Sequence, residues 1–309
     1  MRAGWSVVPE HKKGKEMEMQ VYIDGKLYPK SDAKISVFDH GLLYGDGAFE
    51  GIRSYNGLIF KLDEHLDRLY ETAHTIMLNI PMTKKQLTDA IVETLQANKL
   101  NDSYIRLVVT RGSGDLGLDP RKCKKATIII ITDSIVLYPK ELYQEGLKIM
   151  TVPTVRNHPE ALNPSLKSLN YLNNILAKIE ATNAGFQEAI MLSQQGFVAE
   201  CTGDNIFVVR DGALCTPPTY LGVLRGITRA AIIEIAAQQK INQSECVLTR
   251  HDLFNADEIF LTGTAAEVIP VVEIDGRKIG SGKPGEMTKR MMTEFHKKTK
   301  VDGHKYTLK

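Results

Sequence analysis

Asn163-Pro164-Ser165-Leu166-Lys167-Ser168-Leu169-Asn170-Tyr171 is the stretch on which the reading of this chain turns. It leads from a proline-marked loop into an amphipathic helix, expected from about Leu169 to Thr182, with Leu172, Ile175, Leu176 and Ile179 on one face and Gly185 just past its end. An amine at such a junction can point into a cleft rather than into bulk water. That matters because only a neutral amine attacks a carbonyl, and burial or a neighbouring cation lowers a lysine pKa toward the working pH. Lys167 is therefore the candidate nucleophile. Taken alone it has a plain rival explanation, that Lys167, like Lys178, is one of the chain's many solvated lysines.

Outward from this stretch, short strands and helices alternate. Val21-Tyr22-Ile23 and Lys26-Leu27-Tyr28 flank Asp24-Gly25, a dipeptide that accepts the positive φ of a tight turn, so the fold opens with a β-hairpin. Leu62, Leu66, Leu69, Ala73 and Ile76 recur in steps of four and three, which predicts a helix beginning near Asp63; a second follows Thr83 with Leu87, Ile91 and Leu95. Tyr104 to Thr110 and Thr127 to Thr132 read as strands, the latter rich in β-branched residues. Between Asp133 and Gly146 the periodicity fades, as in a connection rather than an element. A strand is then expected at Leu147 to Val152, and hairpins around Asp211-Gly212 and Asp275-Gly276. Thr228 to Lys240 reads as a helix whose amino end lies at Gly226-Ile227-Thr228.

The expected architecture is α+β in two domains, which a chain of 309 residues with 43% hydrophobic content can fill, since domains run about 100 to 200 residues. Residues 1–18 are read as a loose N-terminal extension, 19–133 as a small α/β domain, 134–146 as an interdomain loop and 147–309 as a larger, strand-rich α/β domain carrying the lysine.

Composition excludes several classes of function. Lys plus Arg total 39 against 37 for Asp plus Glu, so nothing draws the chain to nucleic acid or an anionic membrane. Apolar runs such as Ile128 to Ile131 fall far short of the roughly 20 residues of a spanning helix. The first 18 residues, with Pro9, Glu10, His11 and several lysines, do not form a secretory signal. Cys123, Cys201, Cys215 and Cys246 are scattered without a C-x-x-C pair, which suits neither a disulfide scaffold nor a zinc site and fits a reducing cytoplasm. His40 and His65 read as structural groups, and no metal is implied. Gly112-x-Gly114-x-x-Gly117 matches a dinucleotide-binding pattern. The loop runs on through Leu118-Asp119-Pro120-Arg121-Lys122 into a strand, however, so no helix terminus is there to hold a pyrophosphate.

An ordered set of segments gives Lys167 its company. Glu64-His65-Leu66-Asp67-Arg68-Leu69, Lys167-Ser168-Leu169-Asn170-Tyr171, Glu200 with Asn205-Ile206-Phe207, Leu224-Arg225-Gly226-Ile227-Thr228-Arg229 and Thr262-Gly263-Thr264-Ala265-Ala266-Glu267 follow in this order. The set resembles the fold-type IV pyridoxal-phosphate-dependent aminotransferases from about Met19 to Phe295. Tyr44-Gly45-Asp46-Gly47-Ala48-Phe49-Glu50-Gly51-Ile52-Arg53 and Gly112 to Pro120 are similar to the branched-chain aminotransferase branch.

The resemblance implies pyridoxal 5'-phosphate as cofactor, with Lys167 as its Schiff-base lysine and proton shuttle. It places Glu200 opposite the pyridine nitrogen, where a carboxylate keeps the ring protonated and electron-accepting. Tyr171, one helical turn beyond Lys167, is implied on the phenolic oxygen. The phosphate falls to Gly226, Ile227 and Thr228 at a helix start, with Arg68, Leu224 and Thr264 around it. Tyr44, Phe49, Tyr104, Arg106, Thr264 and Ala265 are implied as the substrate pocket, which must take both an aliphatic side chain and the distal carboxylate of glutamate. The loop carrying Leu118 is implied to reach a neighbouring subunit, in a homodimer or a dimer-based hexamer. Two positions depart from the pattern: Arg225, where many relatives have proline, and Cys201, where glycine is common.

The implied reaction moves the amino group of L-leucine, L-isoleucine or L-valine to 2-oxoglutarate, giving branched 2-oxo acids and L-glutamate. Its rivals on the same fold are a D-amino acid aminotransferase, whose Lys-Ser-Leu-Asn segment is very similar, and an aminodeoxychorismate lyase. A rival of another class is a non-enzymatic binding module, against which the retention of every expected cofactor contact argues.

Overall fold

The computed structural model describes residues 18–135 and 137–308, so the expected N-terminal extension lies, but for Glu18, outside the described residues. The first elements are the expected hairpin, β1 (Gln20–Ile23) and β2 (Lys26–Pro29), turning at Asp24 and Gly25 with φ of 48° and 94°. A turn with both φ values positive matches the twist of paired strands. The short helix α1 (His40–Tyr44), capped by the Asp39 carboxylate, delivers the chain to β3 (Gly47–Tyr55). β4 (Leu58–Phe60), α2 (Leu62–Thr75), α3 (Lys84–Ala97), β5 (Ser103–Thr110) and β6 (Thr127–Asp133) follow. Thr83 and Gln86 close a reciprocal capping box at the start of α3, which satisfies two otherwise orphaned amides. α2 and α3 lay Leu66, Leu69, Leu87, Ile91 and Leu95 on Ile52, Ile105 and Leu107 of the sheet, all fully buried.

The stretch read as a bare connection holds a helix, α4 (Lys140–Glu145). Six residues are too few for an apolar period to show; Pro139 starts it and Gly146, at φ +89°, ends it. Then come β7 (Leu147–Thr151), α5 (Leu172–Asn183), β8 (Glu188–Leu192), β9 (Val198–Cys201), β10 (Asn205–Arg210), β11 (Ala213–Thr216) and α6 (Ile227–Gln238). β12 (Gln243–Glu245), α7 (Arg250–Phe254), β13 (Glu258–Gly263), β14 (Glu267–Ile274), β15 (Arg277–Lys278), α8 (Glu286–Lys298) and β16 (Gly303–Lys305) complete the described chain.

The strands form two sheets. One runs β16-β4-β3-β5-β6-β1-β2, so the last strand returns to the sheet that the first strands began. The other runs β12-β11-β10-β13-β14-β7-β8-β9, with β15 also on β14. Phe207 and Phe260 stack at 5.1 Å in the second sheet, and Phe295 of α8 meets Phe60 of β4 edge-on at 5.4 Å. The two sheets thereby share an aromatic joint.

Two expectations change. The apolar stripe of α5 exists, but Leu172, Ile175, Leu176 and Ile179 face outward; Ala177 and Ala181 are the residues packed on Ala189 and Met191. Small side chains let the helix sit close to its strand, while the large ones are left for another surface. Cys215 and Cys246 are not apart, because the parallel pairing of β11 with β12 brings their Cα atoms to 5.8 Å, within disulfide reach. Among the described residues, no helix is long and apolar enough to cross a membrane and no metal-binding cluster occurs.

Phe295→Ala empties the aromatic joint and is expected to lower stability by about 3–5 kcal/mol, measured from guanidinium unfolding with tyrosine and tryptophan fluorescence as the probe. A loss below about 0.5 kcal/mol would mean that the joint contributes little, since that is the range of an ordinary surface substitution.

Candidate active site

Lys167 does not ride on a helix. Its segment is extended and pairs with the start of β3: the Phe49 amide donates to the Lys167 carbonyl at 3.0 Å and the Leu169 amide to the Gly47 carbonyl at 3.0 Å. Ala48 stands opposite Ser168 in this bridge. The helical turn expected between Lys167 and Tyr171 is therefore absent, because strand pairing holds this stretch until Tyr171 caps α5. The two side chains still meet, with Lys167 Nζ 3.1 Å from the Tyr171 hydroxyl and 4.6 Å from the centre of the Phe49 ring.

β3 buries both faces, and its alternation sorts the site. Phe49 and Gly51 look into the cavity, while Glu50 points the other way, to α2. The Glu50 carboxylate is fully buried and accepts from Arg68 Nε and Nη2, each at 2.8 Å, and from His65 Nδ1 at 2.7 Å. Burial works to raise its pKa, but Arg68 and His65 outweigh it and hold the carboxyl at about 2. His65 is pushed down by its own burial, so it stays a neutral donor. Arg68 Nη1 donates to the Arg225 carbonyl at 2.8 Å. Three of the five guanidinium N–H groups are thus engaged, and two remain for the cavity that Arg68 lines.

Glu200, on β9, is the second buried carboxylate. Its Oε1 accepts from Arg156 Nε at 3.0 Å and Nη2 at 2.8 Å; its Oε2 accepts from Asn205 Nδ2 at 3.1 Å and the Leu224 amide at 3.0 Å. Sequence reading missed Arg156. It sits in the loop after β7 outside every motif, and the one usable clue was physical: a buried carboxylate needs a cation. Asp204 was missed too. Burial and then Glu188 push its carboxyl up to about 8, and its Oδ2 has no partner among the described residues.

The amino end of α6 begins at Gly226 with no side chain capping it. A Cβ there would fall 2.0 Å from Asn205 Oδ1, so only glycine lets the helix start lie this close to the strand. The cavity between these parts measures about 540 Å³. One wall is Phe49, Tyr104, Arg106, Lys167 and Tyr171; the other is Leu224, Gly226, Ile227, Thr228, Thr264 and Ala265, with Arg68 between. The Arg106 guanidinium lies 4.7 Å over the Phe49 ring and bonds the Tyr104 hydroxyl at 2.9 Å. Gly51 makes room for that tyrosine, since a Cβ would fall 2.1 Å from its hydroxyl oxygen.

Tyr44, an expected pocket residue, stands outside this cavity, as does Leu118, whose loop is implied to serve a neighbouring subunit. Tyr44 is 38% exposed with its hydroxyl on the Leu116 carbonyl, and Leu118 is 78% exposed, so neither walls the cavity of its own chain. Tyr44 ends α1, and Leu118 lies in the loop between β5 and β6.

The cavity fits a phosphorylated pyridine. Uncapped amides and two free guanidinium N–H groups suit a phosphate, the amine of Lys167 lines the same space, and Glu200, held behind the lining residues Asn205 and Leu224, is a fixed carboxylate suited to a ring nitrogen. Thr262 Oγ1 lines the same space, buried and without a partner among the described residues, as expected of a group whose partner is a ligand.

Comparison with known proteins agrees. The model of the amino-transferase class IV family matches residues 47–274. A Methanocaldococcus jannaschii protein, provisionally named a branched-chain-amino-acid aminotransferase, is 54% identical over 277 residues, covering 90% of this chain and 95% of its own. The D-alanine aminotransferase of Bacillus licheniformis is 36% identical, covering 89% of this chain and 95% of its own. The solved branched-chain amino acid aminotransferase of Escherichia coli superposes with a TM-score of 0.88 at 34% identity, covering 91% of this chain and 94% of its own. A further branched-chain enzyme, solved with pyridoxamine 5'-phosphate, superposes with a TM-score of 0.87 at 35% identity. With a family match across the lysine segment, both buried carboxylates and the start of α6, the chain belongs to the class IV aminotransferases, enzymes that work with pyridoxal 5'-phosphate.

Proposed function

We propose that this enzyme transfers the amino group of L-leucine, L-isoleucine and L-valine to 2-oxoglutarate, giving branched 2-oxo acids and L-glutamate. The observation that carries the reading is a cavity wall whose aromatic surface seats the guanidinium of Arg106. Phe49 and Tyr104 suit an aliphatic side chain, and Arg106, placed between them, suits the distal carboxylate of glutamate. The name of the 54% identical relative points the same way.

When bound, the cofactor supplies an electron sink and carries the amine between the two substrates. The protein does the rest by placement. Lys167 Nζ is the amine that would hold the cofactor and then take the proton from the substrate α-carbon and return it. The Tyr171 hydroxyl, 3.1 Å away, fixes where that amine rests. Glu200, anchored by Arg156, Asn205 and the Leu224 amide, would face the ring nitrogen with its position already set. Arg68 and the first amides of α6 would hold the phosphate, joined by Thr264. The amides of Thr264 and Ala265 would take the substrate α-carboxylate.

The two sheets serve in this reading as cores of two domains, 19–133 and 147–309, meeting at the cavity, with β16 crossing back. A second copy completes the site. The outward stripe of α5 and the exposed Val37, Phe38 and Leu42 form apolar surface that a dimer would cover, and Tyr44 and Leu118 would then face the partner's cavity. A D-amino acid aminotransferase or a lyase of the aminodeoxychorismate type are the readings to be separated from this one.

Three measurements test the proposal. The cofactor-loaded enzyme is expected to convert L-leucine, with 2-oxoglutarate as acceptor, and to leave D-alanine untouched; turnover of D-alanine alone would overturn the substrate assignment. Lys167→Ala should keep its fold by circular dichroism while losing activity by about a thousandfold or more, the scale of a lost general base and nucleophile. Glu50→Gln removes the anion that orients Arg68 and should cost about 3 kcal/mol of stability. The carboxyl pKa is depressed from 4.5 to about 2, so its contribution is full above pH 4.5 and fades as pH falls toward 2. The stability gap between parent and variant should close over that acid range, and a gap independent of pH would contradict the assigned ionisation.

A further inference from the structure

The turn between β13 and β14 presents Thr264 and Ala265 to the cavity, and a turn on a hairpin tip needs something to hold it still. Arg53, on β3 of the other sheet, supplies it. Its Nη1 donates to the Ala265 carbonyl at 3.3 Å and pairs with Glu267 Oε1 at 3.1 Å. The second Glu267 oxygen meets His296 Nε2 of α8 at 3.0 Å. The Tyr143 hydroxyl of α4 donates to the Ala266 carbonyl at 3.1 Å. Ala265 and Ala266 of the turn and Glu267 at the start of β14 are therefore tied to three different elements.

Glu267 also has φ +58°, a left-handed backbone that residues with side chains adopt reluctantly. Its carboxylate pairs compensate for that conformation. Burial raises the Glu267 pKa, but the His296 bond and Arg53 outweigh it, so the pair is ionised. The guanidinium is itself seated 5.2 Å over the Tyr55 ring.

We propose that Arg53 and Glu267 are positioning residues that aim the Thr264 and Ala265 amides at the substrate α-carboxylate. The assignment rests on the functional reading above, in which those amides take the carboxylate. The amide and carbonyl of Ala265 share one Cα, so a tether on the carbonyl restricts where the amide points. Displacing such a donor by about 1 Å is enough to cost about a hundredfold in a reaction that depends on it. Because Arg53 lies on the strand that also carries Phe49 and Gly51, the carboxylate donors and the side-chain wall are set by one ruler.

The test uses cofactor-loaded enzyme and two competitors of L-leucine: 4-methylpentanoate, which has the carboxylate, and 4-methylpentan-1-ol, which lacks it. In Arg53→Met and in Glu267→Gln the inhibition constant of the acid should rise about tenfold and that of the alcohol stay within about twofold. Bound-cofactor absorbance should be unchanged, and Arg53→Lys should restore part of the loss. A merely structural pair would weaken both competitors alike, so equal rises, or no rise for the acid, overturn the proposal. If Arg53→Met fails to fold, Glu267→Gln decides the matter by the same comparison. Acid binding no tighter than alcohol binding in the unsubstituted enzyme would instead remove the carboxylate role of Thr264 and Ala265, and the strut with it.

Discussion

The pairing of residues 167–169 with the first residues of β3 is the constraint from which the rest of the active site follows. Two backbone hydrogen bonds set Lys167 beside Phe49 and leave its side chain no choice of neighbourhood. Because β3 alternates, the same register that brings the lysine to Phe49 turns Glu50 toward α2 and there fixes Arg68. A slip of one residue would exchange these faces and bury the cavity wall in the core. Central position makes such a slip unfavourable, since β3 lies between β4 and β5 and pairs with β5 along most of its length.

The site is built from two buried ion pairs of the same design. Glu50 holds Arg68, and Arg156 holds Glu200, in each case by two N–H groups of one guanidinium. Such pairs add little to stability, because desolvating both partners offsets most of their attraction. Their worth is directional. A planar fork on a carboxylate fixes angle as well as distance, so the free edge of Arg68 arrives at the cavity already aimed, and Glu200 is held fixed behind the lining residues Asn205 and Leu224.

Much of the fold can be read from the chain because its local signals are strong. The hairpin at Asp24-Gly25, the helix with Leu66 and Leu69 and the capping box at Thr83 all depend on neighbours in sequence. What escapes depends on partners far away. Arg156 finds Glu200 only after β7 and β9 are placed, and no spacing connects them. The apolar stripe of α5 is visible in the sequence, but the choice of face is not, since a stripe shows that surface will be covered without showing by what. Helical spacing pairs Tyr171 with Lys167 on paper, whereas strand geometry joins them in the fold, so a right pairing comes from a wrong local conformation.

The return of β16 to the sheet that β1 began has a consequence for synthesis on the ribosome. The edge beside β4 stays open until residues 303–305 have emerged, and Tyr306 then locks it with a hydroxyl bond to the Leu100 carbonyl at 2.6 Å. The sheet begun at residue 20 is closed on this side only by residues 303–305. During translation that uncovered edge is a place where nascent chains can associate wrongly, so the pairing of β16 with β4 also shields the sheet from its neighbours.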